Sequence, residues 1–319
     1  MEPQMNNKIE GKGIVSLKIC CIINNRAGPT GEPFGTMVAA LFVKHGAQTE
    51  IVEVSKNHPP QAIAEDAIRR KCDVIVAAGG DGTINGVATA VVGNAAVKFG
   101  VIPRGTLNHF AQALGVPTDI EQAVETILAG YVRVVDVGQV NDRIFVNNAS
   151  VGLYASIVRM RENLQHAGFS KWPAAILASL RIFARFRRLA LELVPATGAG
   201  IQQNTSMLFI GNNAYDLQFP ALGARPTLDS GQLWVMMPKS ATRVGLIASF
   251  LNMIAGRESA ADALAMEATK LTVNCKQRFL KVAVDGEVVQ LSSPLKFIIR
   301  PKALRVIVPA PSTNGSQSP

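Results

Sequence analysis

The sequence predicts two joined architectures: a three-layer α/β domain with a mostly parallel sheet, then a mainly antiparallel β-sandwich. The first is expected over residues 14–136 and the second over 137–309, with flexible tails at 1–13 and 310–319. Three observations predict this. Apolar runs alternate with helical patterns as far as Asp136. Beyond it, short strand-like runs succeed one another at the spacing of a sandwich or barrel. The 319 residues are long for one core, and 48% hydrophobic with 17% charged residues marks a folded chain.

Val15 to Asn24 reads as a continuous apolar strand ending in the turn formers Asn24-Asn25-Arg26-Ala27-Gly28-Pro29. A helix over Phe34–His45 and a strand over Gln48–Val54 follow. Pro60–Lys71 has a helical pattern, Asp73–Ala78 is a buried strand, and a helix runs from Ile84 or Asn85 to Val92. Lys98–Ile102 is a short strand before Pro103-Arg104-Gly105-Thr106-Leu107-Asn108. Asp119 opens a helix to Ala129, with Glu121 and Glu125 near its positive end. Alternation of this kind gives a parallel sheet whose ligands sit beyond the carboxyl ends of the strands. Three unusual loops meet that edge: 24–28, 79–85 and 103–108.

In the second half, strands are expected at Val137–Val140, Arg143–Asn147, Leu189–Val194, Ser206–Gly211 and Gln232–Met236. Leu271–Asn274, Leu280–Val284, Phe297–Arg300 and Leu304–Val308 continue the series, with helical insertions at Ala155–Leu164 and Pro173–Phe186. Asn147-Asn148 and Asn212-Asn213-Ala214-Tyr215 are polar interruptions at strand ends. Cleft shaping and plain turn formation both account for them.

Gly79-Gly80-Asp81-Gly82-Thr83 carries the chemistry. Glycines let backbone N–H groups approach a bulky anion, and the helix behind them adds a favourable dipole. Asp81 would repel a bare phosphate, so a divalent cation or a bound hydroxyl belongs there too. A tight turn with glycines only for positive φ is the competing reading; three glycines around Asp-Gly-Thr favour phosphate. Neither a Gly-x-Gly-x-x-Gly fingerprint after the first strand nor a Walker lysine is present.

These residues resemble the lipid kinase family that includes bacterial diacylglycerol kinases and sphingosine kinases. Gly79 to Asn85 looks like its nucleotide-binding signature. Pro103-x-Gly105-Thr106-x-Asn108-x-Phe110-Ala111 looks like its second block, usually with Asp in place of His109. Asn24 to Gly28 is similar to an Asn-Pro-x-Ser/Ala-Gly loop, with Asn25 replacing Pro, and Val284-Asp285-Gly286-Glu287 to an Asp-Gly-Glu element. The likeness runs from about Leu17 to Pro309, and NAD kinases and phosphofructokinases share its Gly-Gly-Asp-Gly turn, so the first domain should share their fold. It implies ATP and Mg2+ bound at the edge of the first domain, with a lipid acceptor entering between the domains. Asn24, Gly28, Ser55, Gly79, Gly80, Asp81, Gly82, Thr83, Asn85, Gly105, Thr106 and Asn108 become the expected nucleotide contacts. Asp81 would engage magnesium or the acceptor hydroxyl, and Asp285 or Glu287 would be the general base. In that family the last segment returns to the first domain.

If Asp285 and Glu287 lie on one strand they face the same side, and mutual repulsion would raise one pKa. Asp-Gly is equally a hairpin dipeptide, which would leave Glu287 solvated. Pro226 to Gly231 resembles a segment carrying a structural magnesium; Ser230 replaces its usual Asp, which leaves three readings: Asp229 compensates, the site is weakened or lost, or the segment is a plain solvated turn. His109 next to Asn108 either points toward phosphate or is an exposed helix-start residue.

Cys20, Cys21, Cys72 and Cys275 show no metal-type spacing and read as reduced thiols of a cytoplasmic protein, the adjacent pair on opposite strand faces. The net charge of +9 attracts nucleotides, nucleic acid or an acidic membrane surface. Aromatics at 6% without basic–aromatic interleaving speak against nucleic acid. No apolar stretch is long enough to span a bilayer, and no secretory signal pattern opens the chain. Trp172 to Arg188 is either a basic amphipathic helix for the membrane surface or a core-facing helix with C-terminal arginines. The expectation is an ATP-dependent lipid kinase at the inner face of the membrane, with a homodimer among the assemblies left open. A NAD kinase-like enzyme with a soluble acceptor and a catalytically silent nucleotide- or lipid-binding protein are the alternatives.

Overall fold

The structure is a computed structural model and describes residues 17–25, 34–152, 188–216, 224–238 and 263–311. The helical insertions 155–164 and 173–186, the basic stretch 172–187 and Gly28 lie outside the described residues.

Four parallel strands, β1 (Ile19–Ile23), β2 (Thr49–Glu53), β3 (Val74–Gly79) and β4 (Lys98–Pro103), lie in the order β2-β1-β3-β4. Every residue of β1 and β3 is buried, as befits a sheet covered on both faces. Helices α1 (Phe34–Lys44) and α5 (Ile120–Ala129) cover one face, where Phe34, Val38, Phe42, Val124 and Ile127 pack with Cys21, Ile23 and Val76. Helices α2 (Pro60–Arg69) and α3 (Asp81–Val91) cover the other, where Ile63, Ala67, Ile84 and Val87 meet Cys20, Ile22 and Ile75. Cys20 and Cys21 thus serve opposite cores, and all four cysteines are free thiols. Among the described residues no helix is long and apolar enough to cross a membrane.

The chain continues through β5 (Val132–Val140), β6 (Arg143–Phe145), β7 (Asn148–Gly152), β8 (Leu189–Pro195), β9 (Ile201–Thr205) and β10 (Met207–Asn212). Then come β11 (Leu233–Pro238), β12 (Ala263–Ala268), β13 (Lys270–Cys275), β14 (Phe279–Val284), β15 (Glu287–Ser292) and β16 (Leu295–Ile307). A six-stranded antiparallel sheet, β12-β11-β10-β7-β14-β15, packs on the antiparallel part of a ten-stranded sheet. Leu191, Leu193, Val273, Leu295 and Phe297 from one layer interleave with Val151, Leu208, Ile210, Val235 and Val282 from the other. The parallel sheet and this sandwich share a layer. Strand β16 pairs with β13 at one end and with β4 at the other, while β5 runs along its length.

Several elements differ from the sequence reading. The two expected strands merge into one, β16, over residues 295–307, with a register shift between Arg300 and Leu304; Pro301 and Lys302, the latter at φ 51°, interrupt the pattern without ending the strand. The expected strand 143–147 stops at Phe145 as β6, because the N–H groups of Val146 and Asn147 turn toward a carboxylate described below. Strand β12, Ala-Leu-Ala-Met-Glu-Ala, has helix-forming composition, and pairing with β11 overrides it. Strand β9, Ile-Gln-Gln-Asn-Thr, is a mostly exposed polar edge without the apolar alternation of a strand.

Candidate active site

Strand β3 ends at Gly79, and α3 begins at Asp81 with Gly80 as its N-cap. The helix starts three residues earlier than the apolar pattern implies, so the glycine motif itself forms its first turn. Thr83 and Ile84 donate their N–H groups to the Gly80 carbonyl. The glycines answer to packing. A Cβ on Gly105 would stand 2.8 Å from the Gly80 Cα and 2.8 Å from Asn108 Oδ1. A Cβ on Gly79 would meet Thr83 Oγ1 at 2.8 Å. Two backbone loops therefore touch with no side chain between them, and Arg104 N–H donates to the Gly79 carbonyl.

The neighbouring expected contacts are mostly engaged with one another. Asn24 donates from Nδ2 to Thr83 Oγ1 at 3.2 Å, tying the loop after β1 to α3. Asn108, at φ 50°, accepts from Gly105 N–H through Oδ1 at 2.7 Å and donates to the Gly105 carbonyl at 2.9 Å. Its side chain shapes the 103–108 loop. Thr106 is exposed beside it, and Ser55 lies exposed past β2 in a turn with His58.

Asp81 stands apart. Its Oδ1 is buried and has no hydrogen-bond partner. Burial pushes its carboxyl above the ordinary range; exposed His109 and the N–H groups of Phe110, His109 and Asn108 pull the other way. A buried carboxylate oxygen without a partner, beside backbone stripped of Cβ atoms, fits a magnesium ion and nucleotide phosphate.

The second carboxylate group arrives from the sandwich. Asp285 and Gly286, at φ 46° and 87°, form the two-residue turn between β14 and β15, with Val284 paired to Glu287. The same-side strand arrangement is thus replaced by a hairpin, in which the two carboxylates diverge. Asp285 Oδ1 accepts from the N–H groups of Asn147 (2.8 Å) and Asn148 (3.0 Å). Its Oδ2 accepts from Val146 N–H (2.7 Å) and from Asn85 Nδ2 (2.5 Å). Burial raises its pKa, offset in part by those four donors; repulsion from Glu287 is not among the causes. Glu287 instead brings its carboxylate over the glycine turn, where a Cβ on Gly82 would stand 2.9 Å from its Oε1. Asn85, expected to touch nucleotide, bridges Asp285 to the Ile144 carbonyl.

Two buried charged residues beside the site escaped the sequence reading. Arg225 is 8% exposed, donates from Nη1 to the Val146 carbonyl at 2.7 Å and from Nη2 to Asn147 Oδ1 at 2.9 Å. Asp136 is fully buried, accepting from Gly231 N–H (2.7 Å) and Lys302 N–H (2.8 Å). An arginine before a proline and an aspartate at a strand pattern's edge carry no distinguishing signal. Asp229, expected as a magnesium ligand, is an exposed partner of Arg133 at 3.4 Å, and Ser230 bonds Asn213. Among the described residues it joins no group of three ligating side chains; His45, Glu121 and Glu125 form one, on the surface beside Lys44.

Residues 18–140 match the family model of the diacylglycerol kinase catalytic domain. An uncharacterized protein of Synechocystis sp. is 32% identical over 245 residues, 74% of this chain and 54% of that protein. A diacylglycerol kinase of Staphylococcus aureus is 40% identical over 110 residues, 34% of this chain and 35% of that enzyme. The chain thus spans about half or less of the length of these curated relatives. Two crystal structures from Bacillus anthracis str. Sterne, the first described as a diacylglycerol kinase, give TM-scores of 0.66 and 0.71 at 16% and 21% identity. Each covers 92% of this chain and 97% of the other. An NAD kinase from Archaeoglobus fulgidus, solved in complex with ATP, gives 0.51 at 12% identity, over 91% of this chain and 93% of that one. The glycine turn of β3–α3 and the loop of Gly105 and Asn108 both lie inside the region that matches the diacylglycerol kinase catalytic domain model.

Proposed function

We propose that this protein is an ATP-dependent lipid kinase that transfers the γ-phosphoryl group to a lipid hydroxyl at the inner surface of the membrane. One observation carries the reading: the Asp285–Glu287 hairpin of the sandwich docks on the Gly79–Asn85 turn, through the Asn85–Asp285 bond and Glu287 over Gly82. Phosphoryl transfer needs positioned dipoles for the phosphates and a base for the acceptor, both within one water-poor cleft. The backbone of Gly79–Thr83 and of Gly105–Thr106 receives the phosphates, with Asn24 at the mouth. Asp81 would hold magnesium, which would supply charge neutralisation of the transferring group. Glu287 takes the acceptor proton as the hydroxyl oxygen bonds phosphorus and the bond to the ADP oxygen breaks. Asp285, whose two oxygens already accept four donors, holds the hairpin in place.

Purified protein with γ-labelled ATP and vesicles of diacylglycerol, sphingoid base, phosphatidylglycerol or polyprenol tests this. Label is expected in a lipid product, and lost in Asp81→Ala. Absence of any labelled lipid, in defined vesicles and in total lipid extract alike, sinks the reading. With NAD added, label in NADP without vesicle dependence would favour a soluble acceptor, as the name of the Archaeoglobus fold relative has it. Tight ATP or lipid binding without turnover would identify a silent binding protein.

A further inference from the structure

Arg225 is a buried guanidinium that the reaction, as proposed above, does not use. A buried cation persists only where partners compensate its lost hydration. Its partners here form a connected set. The Val146 carbonyl, which receives Arg225 Nη1, belongs to the same peptide unit as the Asn147 N–H that donates to Asp285 Oδ1. Asn212 Nδ2 adds a second donor to that carbonyl at 3.0 Å. The next peptide repeats the pattern. Its oxygen, on Asn147, accepts from Tyr215 Oη at 2.9 Å and from Asn212 N–H at 2.9 Å, while its N–H, on Asn148, donates to Asp285.

Donors on the carbonyl side and a carboxylate on the N–H side polarise the same two peptides in one direction, strengthening each hydrogen bond. The platform beneath is close-packed. Tyr215 lies over Gly211, where a Cβ would stand 2.7 Å from its ring, and stacks on Trp234 at 6.0 Å between centroids. Arg225 sits 5.7 Å from the Tyr215 ring. The charges of Asp285 and Asp81 both favour the guanidinium, against burial, which disfavours it.

We infer that Arg225 is a positioning residue: its two-pronged grip on Val146 and Asn147 aims three backbone N–H groups at Asp285 and thereby seats Glu287 over the glycine turn. The assignment rests on the lipid kinase reading for its kinetic arm only. Its structural arm needs no substrate. The grip depends on a planar fork reaching two acceptors, which a lysine ammonium cannot reproduce.

The experiment compares wild type, Arg225→Lys and Asn147→Ala, the last removing one acceptor while keeping the peptide. Amide hydrogen exchange in the ligand-free protein is followed at Val146, Asn147 and Asn148, with β1 and β3 amides as internal reference. Arg225→Lys is expected to speed exchange at the three amides at least about tenfold relative to the reference strands, and Asn147→Ala by a smaller factor. In turnover, Arg225→Lys is expected to lower kcat about 10- to 100-fold with KM for ATP within about twofold, the signature of a misplaced group rather than a lost nucleotide contact. Unchanged exchange in both variants, full activity of Arg225→Lys, or a loss confined to KM for ATP would each overturn the assignment. If no lipid is phosphorylated by wild type, the exchange arm still decides the positioning role, so the two failures are distinguishable.

Discussion

The two carboxylate-bearing turns of the site are built by opposite means. The Gly79–Asn85 turn is local and made of backbone: its shape follows from a strand end, an N-cap and glycines where loops touch. The Asp285–Glu287 hairpin is local only in its two-residue turn. What gives Asp285 its environment lies 137 to 200 positions away, at Val146, Asn147, Asn148 and Asn85. One Asp81 oxygen waits for a partner, whereas both Asp285 oxygens are taken. A carboxylate with spare acceptor capacity can bind a cation or handle a proton; a saturated one organises its neighbours.

The largest effect that separates the two turns should come from Asp81→Ala. Turnover is expected to fall by about 10³-fold or more with the fold intact by circular dichroism. Residual activity within tenfold of wild type would transfer the role elsewhere. Next, Glu287→Gln should lower kcat by about 10²-fold with little change in melting temperature, since the proposed reaction uses its carboxylate. Asp285→Asn should do the reverse in proportion, losing about 1–3 kcal/mol of stability because its amide would face donors. Equal thermal losses in the two variants would erase the distinction drawn between them.

Gly105→Ala tests the backbone side of the comparison. The added methyl would press on the Gly80 Cα, and about 1–3 kcal/mol of stability should be lost, with weaker ATP binding by calorimetry. A neutral substitution would show that the two loops do not need their close approach. Acid titration offers a finer test. Asp81 and Asp285 hold their protons more tightly folded than unfolded, so the native state binds more protons between the ordinary carboxylate value of 3.8 and each raised value. Stability therefore falls as pH rises through that window. Urea midpoints of Asp81→Asn should show a shallower fall than wild type, and a steeper one would contradict the burial argument. Smallest of all, Asp229→Ala removes an exposed pair with Arg133 and should cost less than about 0.5 kcal/mol, leaving the magnesium dependence of turnover unchanged. A shifted magnesium requirement would restore Asp229 as a ligand.

The alternation of strand and helix up to Asp136, the opposed faces of Cys20 and Cys21, and the glycine turn were legible one-dimensionally. Each rests on neighbours a few residues apart, where hydrophobic period and φ preference act directly. The Asp-Gly dipeptide likewise announced a hairpin, a local preference that outweighed the reading of positions 285 and 287 as strand neighbours. Strand β12 was not legible because its helix-forming residues follow β11's free edge. Nor could spacing reveal that Asn85 and Asn108 spend their side chains within the protein, or that Arg225 and Asp136 are buried. Such facts are set by partners brought together from distant segments, and no local pattern encodes a partner. The sequence by itself determined a glycine turn at the carboxyl end of a strand in a parallel sheet. Only the tertiary structure decided which carboxylates face it, because β16 and its neighbours join the sandwich to that sheet and so place the second turn against the first.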